Sequence, residues 1–217
     1  MKMLASVKQK RERDARFWDW IARRYSRKPV PDWAVYQTKL KTTNMYLKQD
    51  DLVLEVGCGT GTTALYHAPH VARIDATDIS PKMIGIAEAK ANEQGIKNVS
   101  FSVSSIDALS ASPGHYDVVL AHSVLHLLAD PSCSLRRLHR VLKPGGLLIM
   151  STPCIADFAP WLRWIAPVGH LIGVMPRINV FRQSSFLRWL GDAGFECEKV
   201  WQPKRDSGVY MVARAHD

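Results

Sequence analysis

Leu52-Val53-Leu54-Glu55-Val56-Gly57-Cys58-Gly59-Thr60-Gly61 is the stretch from which the fold can be read. Four apolar residues around Glu55 make a short buried strand, and three alternate glycines then let the backbone turn sharply and come close to a ligand. A second apolar run, residues 73–77, ends in Asp78. A carboxylate at the end of a second parallel strand can accept hydrogen bonds from both hydroxyls of a ribose. Ser80-Pro81 follows with a helix cap and a proline suited to the first helical position, opening a helix that runs to about Gly95.

Working outward, the strand pattern recurs at residues 99–103, 116–121, 147–150, 195–200 and 208–214, with amphipathic helices between, among them 131–142, ending at Lys143-Pro144-Gly145-Gly146. Strands alternating with helices of this length imply right-handed crossovers. The expected fold is α/β, a Rossmann-like, doubly wound, mostly parallel seven-stranded sheet. Residues 153–181 interrupt the alternation with an apolar segment broken by four prolines and two glycines, read as a helical lid insertion after the fifth strand. A helix then resumes over 183–193, with Ser184 or Ser185 as its cap. The chain divides into a basic N-terminal helical lid segment, residues 1–50, and a ligand-binding domain, residues 51–217.

The spacing of the glycines bears on the ligand. A dinucleotide turn reads G-x-G-x-x-G and aims its helix at a pyrophosphate. Here the turn is G-x-G-x-G, with Glu55 two positions before the first glycine. That carboxylate repels a pyrophosphate and suits an ammonium or sulfonium, which favours S-adenosylmethionine over NAD. The segments LVLEVGCGTG, IDATDIS, YDVVLAHSVLHLL and LHRVLKPGGLLIM closely resemble the core of the class I S-adenosylmethionine-dependent methyltransferases, over residues 52 to about 152. They most resemble the small-molecule branch that includes the ubiquinone and menaquinone biosynthesis enzymes.

That resemblance implies a cofactor site and a reaction. The loop at Glu55, Gly57, Gly59 and Gly61, with Cys58 packed inside it, would hold the methionine part of the cofactor. Asp78 would bind the ribose and Ile79 would lie on the adenine. Ser105 and Ile106 occupy the segment that meets the adenine edge; Ser105 stands in the usual acidic slot, Asp107 lies two places later, and the choice between them stays open. His122 falls beside the sulfonium and the acceptor. The implied reaction moves a methyl group to a small, apolar or amphipathic acceptor, leaving S-adenosylhomocysteine. Candidates for a base, where one is needed, are His122, His126, Tyr25 and Tyr36. The acceptor atom and the oligomeric state are left open by these residues.

Other readings are weighed against the same residues. A membrane-docked lipid or quinone methyltransferase is one alternative, since Trp161 and Trp164 lie close to Arg163 and Arg177 in an apolar segment. A non-catalytic protein that binds the cofactor for regulation is another. Cys154 invites comparison with cysteine nucleophiles of RNA cytosine methyltransferases, but their second cysteine is replaced by Ala-His-Ser after the fourth strand, so Cys154 reads as structural. Without the Asn/Asp-Pro-Pro-aromatic motif or an added recognition module, nucleic acid is disfavoured as substrate.

Composition agrees with one folded domain: 217 residues, 47% hydrophobic and 23% charged. Four dispersed cysteines give neither a metal nor a redox spacing, and no metal is expected. The formal net charge of +9 raised anionic partners as a class, yet residues 1–28 hold ten basic and three acidic side chains and so account for +7 of it. Phe17, Trp18, Ile21, Ala22 and Tyr25 form an apolar stripe on the same segment, which predicts an amphipathic helix ending near Pro29. With neither a secretory signal nor an apolar run long enough to span a bilayer, the expected location is cytoplasmic, or peripheral at a membrane.

Overall fold

The alternation of residue types sorts itself onto the two faces of one sheet. In this computed structural model, residues 2–216 are described, with side chains from Glu12 to His216. The side chains of Lys2, Lys8, Lys10 and Arg11, counted above in the basic segment, lie outside the described residues. Two helices come first, α1 (Lys2–Arg27) and α2 (Trp33–Asn44). The alternating body follows as β1 (Leu52–Val56), α3 (Thr62–His67), β2 (Arg73–Asp78), α4 (Pro81–Glu93), β3 (Val99–Val103), β4 (Tyr116–His122), α5 (Pro131–Val141) and β5 (Leu142–Thr152). After the insertion, which contains α6 (Leu162–Leu171), come α7 (Gln183–Asp192), β6 (Phe195–Trp201) and β7 (Val209–Ala215).

The seven strands lie in the order β3-β2-β1-β4-β5-β7-β6. All pairings are parallel except those of β7, which runs antiparallel between β5 and β6. Strand order reverses between β1 and β4, and the crevice outside their carboxyl ends is where such sheets bind ligands. Val53, Val118, Leu120, Ile149 and Val212 pack on one face, with Ala64 of α3 and Ile84 of α4. Their neighbours Leu54, Val119, Ala121, Leu148 and Met211 pack on the other, against Leu135 and Leu138 of α5 and Phe186 and Leu190 of α7. This period-two division is what a sheet covered on both sides requires. The Thr43 hydroxyl of α2 meets the Tyr210 hydroxyl at 3.0 Å, which ties the N-terminal segment to β7.

Three expectations change. The fifth strand begins at Leu142 rather than Leu147. Tyr116 pairs with Leu142 and Val118 with Leu147, so Lys143-Pro144-Gly145-Gly146 is a bulge within the strand and not the helix stop before it. Gly146 is needed there because a Cβ would stand 3.0 Å from the Asp117 carbonyl, and Lys143 anchors the bulge on the Asp117 carboxylate at 2.6 Å. The cap of α7 is neither Ser184 nor Ser185. Arg182 occupies the cap position without a side-chain bond, and the Asp157 carboxylate accepts from the Gln183 N–H at 2.8 Å, so the insertion itself closes the helix end.

Gly57, Gly59 and Gly61 all have positive φ, of 67°, 53° and 75°. They differ in surroundings, and the difference is testable. A Cβ on Gly61 would stand 2.7 Å from Ala87 Cβ and 2.9 Å from the Phe101 ring, so this glycine lets α3 pack on α4 and β3. Gly61→Ala should cost about 3 kcal/mol, combining left-handed strain with overpacking. Gly114→Ala, also at positive φ but facing open space, should cost only about 1 kcal/mol. Urea unfolding of the two variants measures the gap, and equal losses would contradict the packing argument.

Candidate functional site

At the carboxyl ends of β1 to β4 lies a cavity of about 350 Å³, within the size range of small-molecule sites. Its floor is Gly57 and Gly59, its side walls are Asp78 and Ile79, Ser105 and Ile106, and His122 to Val124. Trp18 and Tyr25 of α1, with Pro176 and Arg177 of the insertion, roof it. The turn fits under this roof because Gly57 lacks a side chain: a Cβ there would stand 2.5 Å from Val124 Cγ2. Gly59 also lines the cavity, and a Cβ there would meet nothing within 4 Å.

Asp78 holds the floor together. Its Oδ2 accepts from the Gly59 N–H and its Oδ1 from the Ser80 N–H, both at 2.9 Å. Burial pushes its pKa up while these backbone donors pull it back, and the carboxylate keeps lone pairs toward the cavity. Both candidates for the adenine edge line the cavity. Ser105 Oγ is buried without a hydrogen-bond partner among the described residues, whereas Asp107 is exposed and pairs with Arg137 at 3.7 Å. A buried hydroxyl without a partner calls for one, and the cavity beside Ser105 is open to it.

Glu55 does not line the cavity. It lies one layer below, 2% exposed, accepting from the Ala64 N–H near the start of α3, where Gly61 provides no side-chain cap. Burial first, then the charge of Asp78, raise its pKa to about 8. Oε2 has no partner among the described residues, and a carboxyl raised this far favours its neutral form at neutral pH. Cys58 and Gly61 are likewise packing residues outside the lining, and Cys58 donates its N–H to the Thr77 carbonyl at 3.0 Å.

The four candidate bases separate clearly. His122 lines the cavity, stacks on Tyr210 with ring centroids 6.3 Å apart, and sits 3.4 Å from Ser151 Oγ through Nδ1. Burial, aided by the charge of Lys39, lowers its pKa to about 4. His126, lowered to about 4 by burial, stands outside the lining; its carbonyl accepts from the Asn179 N–H at 2.7 Å and so fastens the loop after β4 to the insertion. Tyr25 is in the roof, with its pKa raised by burial. Tyr36 bonds Thr63 Oγ1 at 3.1 Å, outside the lining. Cys154 is buried in the core, its thiol pushed up to about 12, as a structural role requires. Among the described residues no group of three His, Cys, Asp or Glu side chains is arranged to hold a metal.

Several residues that matter went unread in the sequence. Asp19 Oδ1 accepts from Ser80 Oγ at 2.5 Å and from the Lys82 N–H at 3.0 Å, at the start of α4. Asp14 faces Arg177 and His170, each at 3.6 Å. Asp19 thus fastens the roof to the body, and Asp14 joins the two parts of the roof, α1 and the insertion. Asp14 stands one helical turn before Trp18, and that spacing was the available signal. Ser123, in the cavity wall, has a φ of 54°, the one non-glycine positive φ among the described residues, and no residue-type signal marks it.

The family model described as "Methyltransferase domain" matches residues 47–173. A ubiquinone biosynthesis O-methyltransferase of Xanthomonas euvesicatoria is 30% identical over 156 residues, 68% of this chain and 64% of that protein. The chain therefore spans less than two thirds of that relative's length. A malonyl-[acyl-carrier protein] O-methyltransferase of Paenibacillus is 30% identical over 151 residues, covering 66% of this chain and 54% of that protein. The crystal structure of an S-adenosylmethionine-dependent methyltransferase from Mesorhizobium loti superposes with a TM-score of 0.67 at 19% identity, over 80% of this chain and 96% of that one.

The roof attachment gives a prediction of its own. Asp19→Ala removes the acceptor for two donors at a helix start, a loss of about 1–2 kcal/mol. Trypsin cleavage after Arg23 and Arg24 should quicken about tenfold as α1 lifts more often. An unchanged cleavage rate would show that α1 is held by other contacts.

Proposed function

The chain belongs to the methyltransferase-domain family, of the class I S-adenosylmethionine-dependent kind, and from that premise we propose that it methylates a small, apolar or amphipathic acceptor, at an oxygen atom. The observation that carries the reading is Asp78, a half-buried carboxylate anchored to the glycine turn and open to a roofed cavity. The two O-methyltransferase relatives support oxygen as the acceptor atom.

When bound, S-adenosylmethionine supplies a methyl group already activated by its sulfonium. The residues present suit it. Asp78 would take the ribose hydroxyls, Ser105 Oγ would find at the adenine edge the partner it lacks, and Ile79 and Ile106 would flank the ring. Gly59 leaves room for the methionine portion. Glu55 acts from beneath through its field, gaining stability as an anion only when a positive charge lies above it.

What remains for the chain is alignment and exclusion of water. The roof of Trp18, Tyr25, Pro176 and Arg177 supplies the exclusion, and we assign residues 1–50 and the 153–181 insertion to the lid on this ground. His122 is neutral at physiological pH and, with a pKa near 4, a poor proton acceptor. It therefore leaves the hydroxyl protonated beforehand; a hydrogen bond at Nε2 would hold the acceptor hydroxyl in line and take its proton only as the oxygen gains the methyl group and becomes strongly acidic, the proton then passing to solvent. Tyr25 keeps its proton and serves as a donor.

Calorimetry with S-adenosylmethionine tests the ribose assignment. Asp78→Ala should weaken binding about 100-fold through lost charge-assisted bonds, and Asp78→Asn should fall between; unchanged affinity in both would overturn the assignment. Binding should also expel about one proton from Glu55 below about pH 7 and almost none above about pH 9. Titrations in buffers of different ionisation enthalpy read this release. Glu55→Gln should abolish it, and release that survives the substitution belongs to another group.

A further inference from the structure

Helix α6 turns an apolar face outward. Ala166 and Gly169 are buried against the body, while Trp161, Trp164, Ile165, Val168, Leu171 and Ile172 fall on one stripe of the opposite side, each more than half exposed. Trp164 is 77% exposed and Leu171 70%. A contiguous stripe of this kind on a protein surface marks something that covers it.

The neighbouring surface of α1 carries the charge. Arg13, Arg16, Arg23, Arg24 and Arg27 share one helical face, all exposed, with Trp20 at its centre and 74% exposed. Opposite them Ala22 is buried, Asp19 holds the helix to the body and Asp14 holds it to the insertion. The two surfaces meet: Arg13, Arg16 and Trp20 line a shared hollow with His170 and Gly173 at the end of α6.

We propose that the outward stripe of α6 and the basic face of α1 form one docking surface for an anionic phospholipid bilayer, on which the protein lies without crossing it. No described helix is long and apolar enough to span. The stripe would sink to the level of the acyl boundary, with the exposed tryptophans in the interfacial layer, where amphipathic rings are favoured. The arginines would meet lipid phosphates at the edge of the same surface. A second copy of this chain is the poorer occupant, because a two-fold arrangement on the stripe would bring one basic face against another. The proposal goes beyond methyl transfer and is tested without it.

The test is co-sedimentation of the full chain with vesicles of phosphatidylcholine alone or mixed with phosphatidylglycerol, in low and high salt. Expected is pelleting with the mixed vesicles that weakens as salt rises. Trp164→Ser combined with Leu171→Ser should lower partitioning at least about tenfold, and Arg16→Gln or Arg23→Gln about fivefold each. All these positions are exposed, so the urea transition should stay in place; if the double variant loses it, the arginine variants read the same surface. Four results would overturn the proposal: no pelleting with either vesicle, equal pelleting with both irrespective of salt, full binding by the soundly folded variants, or a dimer at sedimentation equilibrium that the Trp164 and Leu171 changes dissociate. The last would assign the stripe to a second copy.

Discussion

The hydrogen bond from the Gly59 N–H to Asp78 joins the turn after β1 to the end of β2, and the site depends on it. Burying a carboxylate is costly unless donors surround it. Asp78 meets that requirement with backbone donors on two sides, Gly59 and Ser80. Ser80 passes the connection on, since its hydroxyl donates to Asp19 of α1. Floor, wall and roof are therefore one chain of hydrogen bonds, Gly59 to Asp78 to Ser80 to Asp19. In a low-dielectric interior such bonds reinforce one another, so a ligand on Asp78 acts on a carboxylate whose neighbours also set the position of α1.

This chain explains what could be read in advance and what could not. Local rules suffice for β1, the glycine turn and Asp78, because a strand, a left-handed turn and a strand-end acid each leave a mark in residue type and spacing. The seven strands and their two-faced packing follow for the same reason. Misread features had causes outside their own segment. Lys143 to Gly146 read as the end of a helix because proline and glycine usually stop one, and only the pairing of Tyr116 with Leu142 makes it a bulge. The cap of α7 came from Asp157, distant in sequence. His122 and His126 look alike on paper, yet one faces the cavity and the other is turned away from it.

Glu55 shows the limit of motif reading most clearly. Its position before the glycines suggested direct contact with a cationic ligand, but the inward alternation of β1 places it beneath the floor. There it accepts from the Ala64 N–H near the start of α3. The same residue thus serves the helix start and, on the function proposed above, becomes a field source when a cation binds. A neutral carboxyl can do the first at little electrostatic cost, and the energy of ionising it is drawn from ligand binding.

The basic balance of the chain is also resolved by orientation. Within α1 the acids Asp14 and Asp19 face the body and the described arginines face away, so helix docking and surface charge are separate functions of opposite sides. Had the arginines faced inward, they would have raised the potential over the cavity and opposed a sulfonium. Asp14, Asp78, Asp107 and Asp130 line the cavity against Arg177 alone, which Asp14 offsets, so its walls carry a negative balance. A cationic cofactor gains from that arrangement, and the positive surplus is left on the outer face, where it can act only on something outside the molecule.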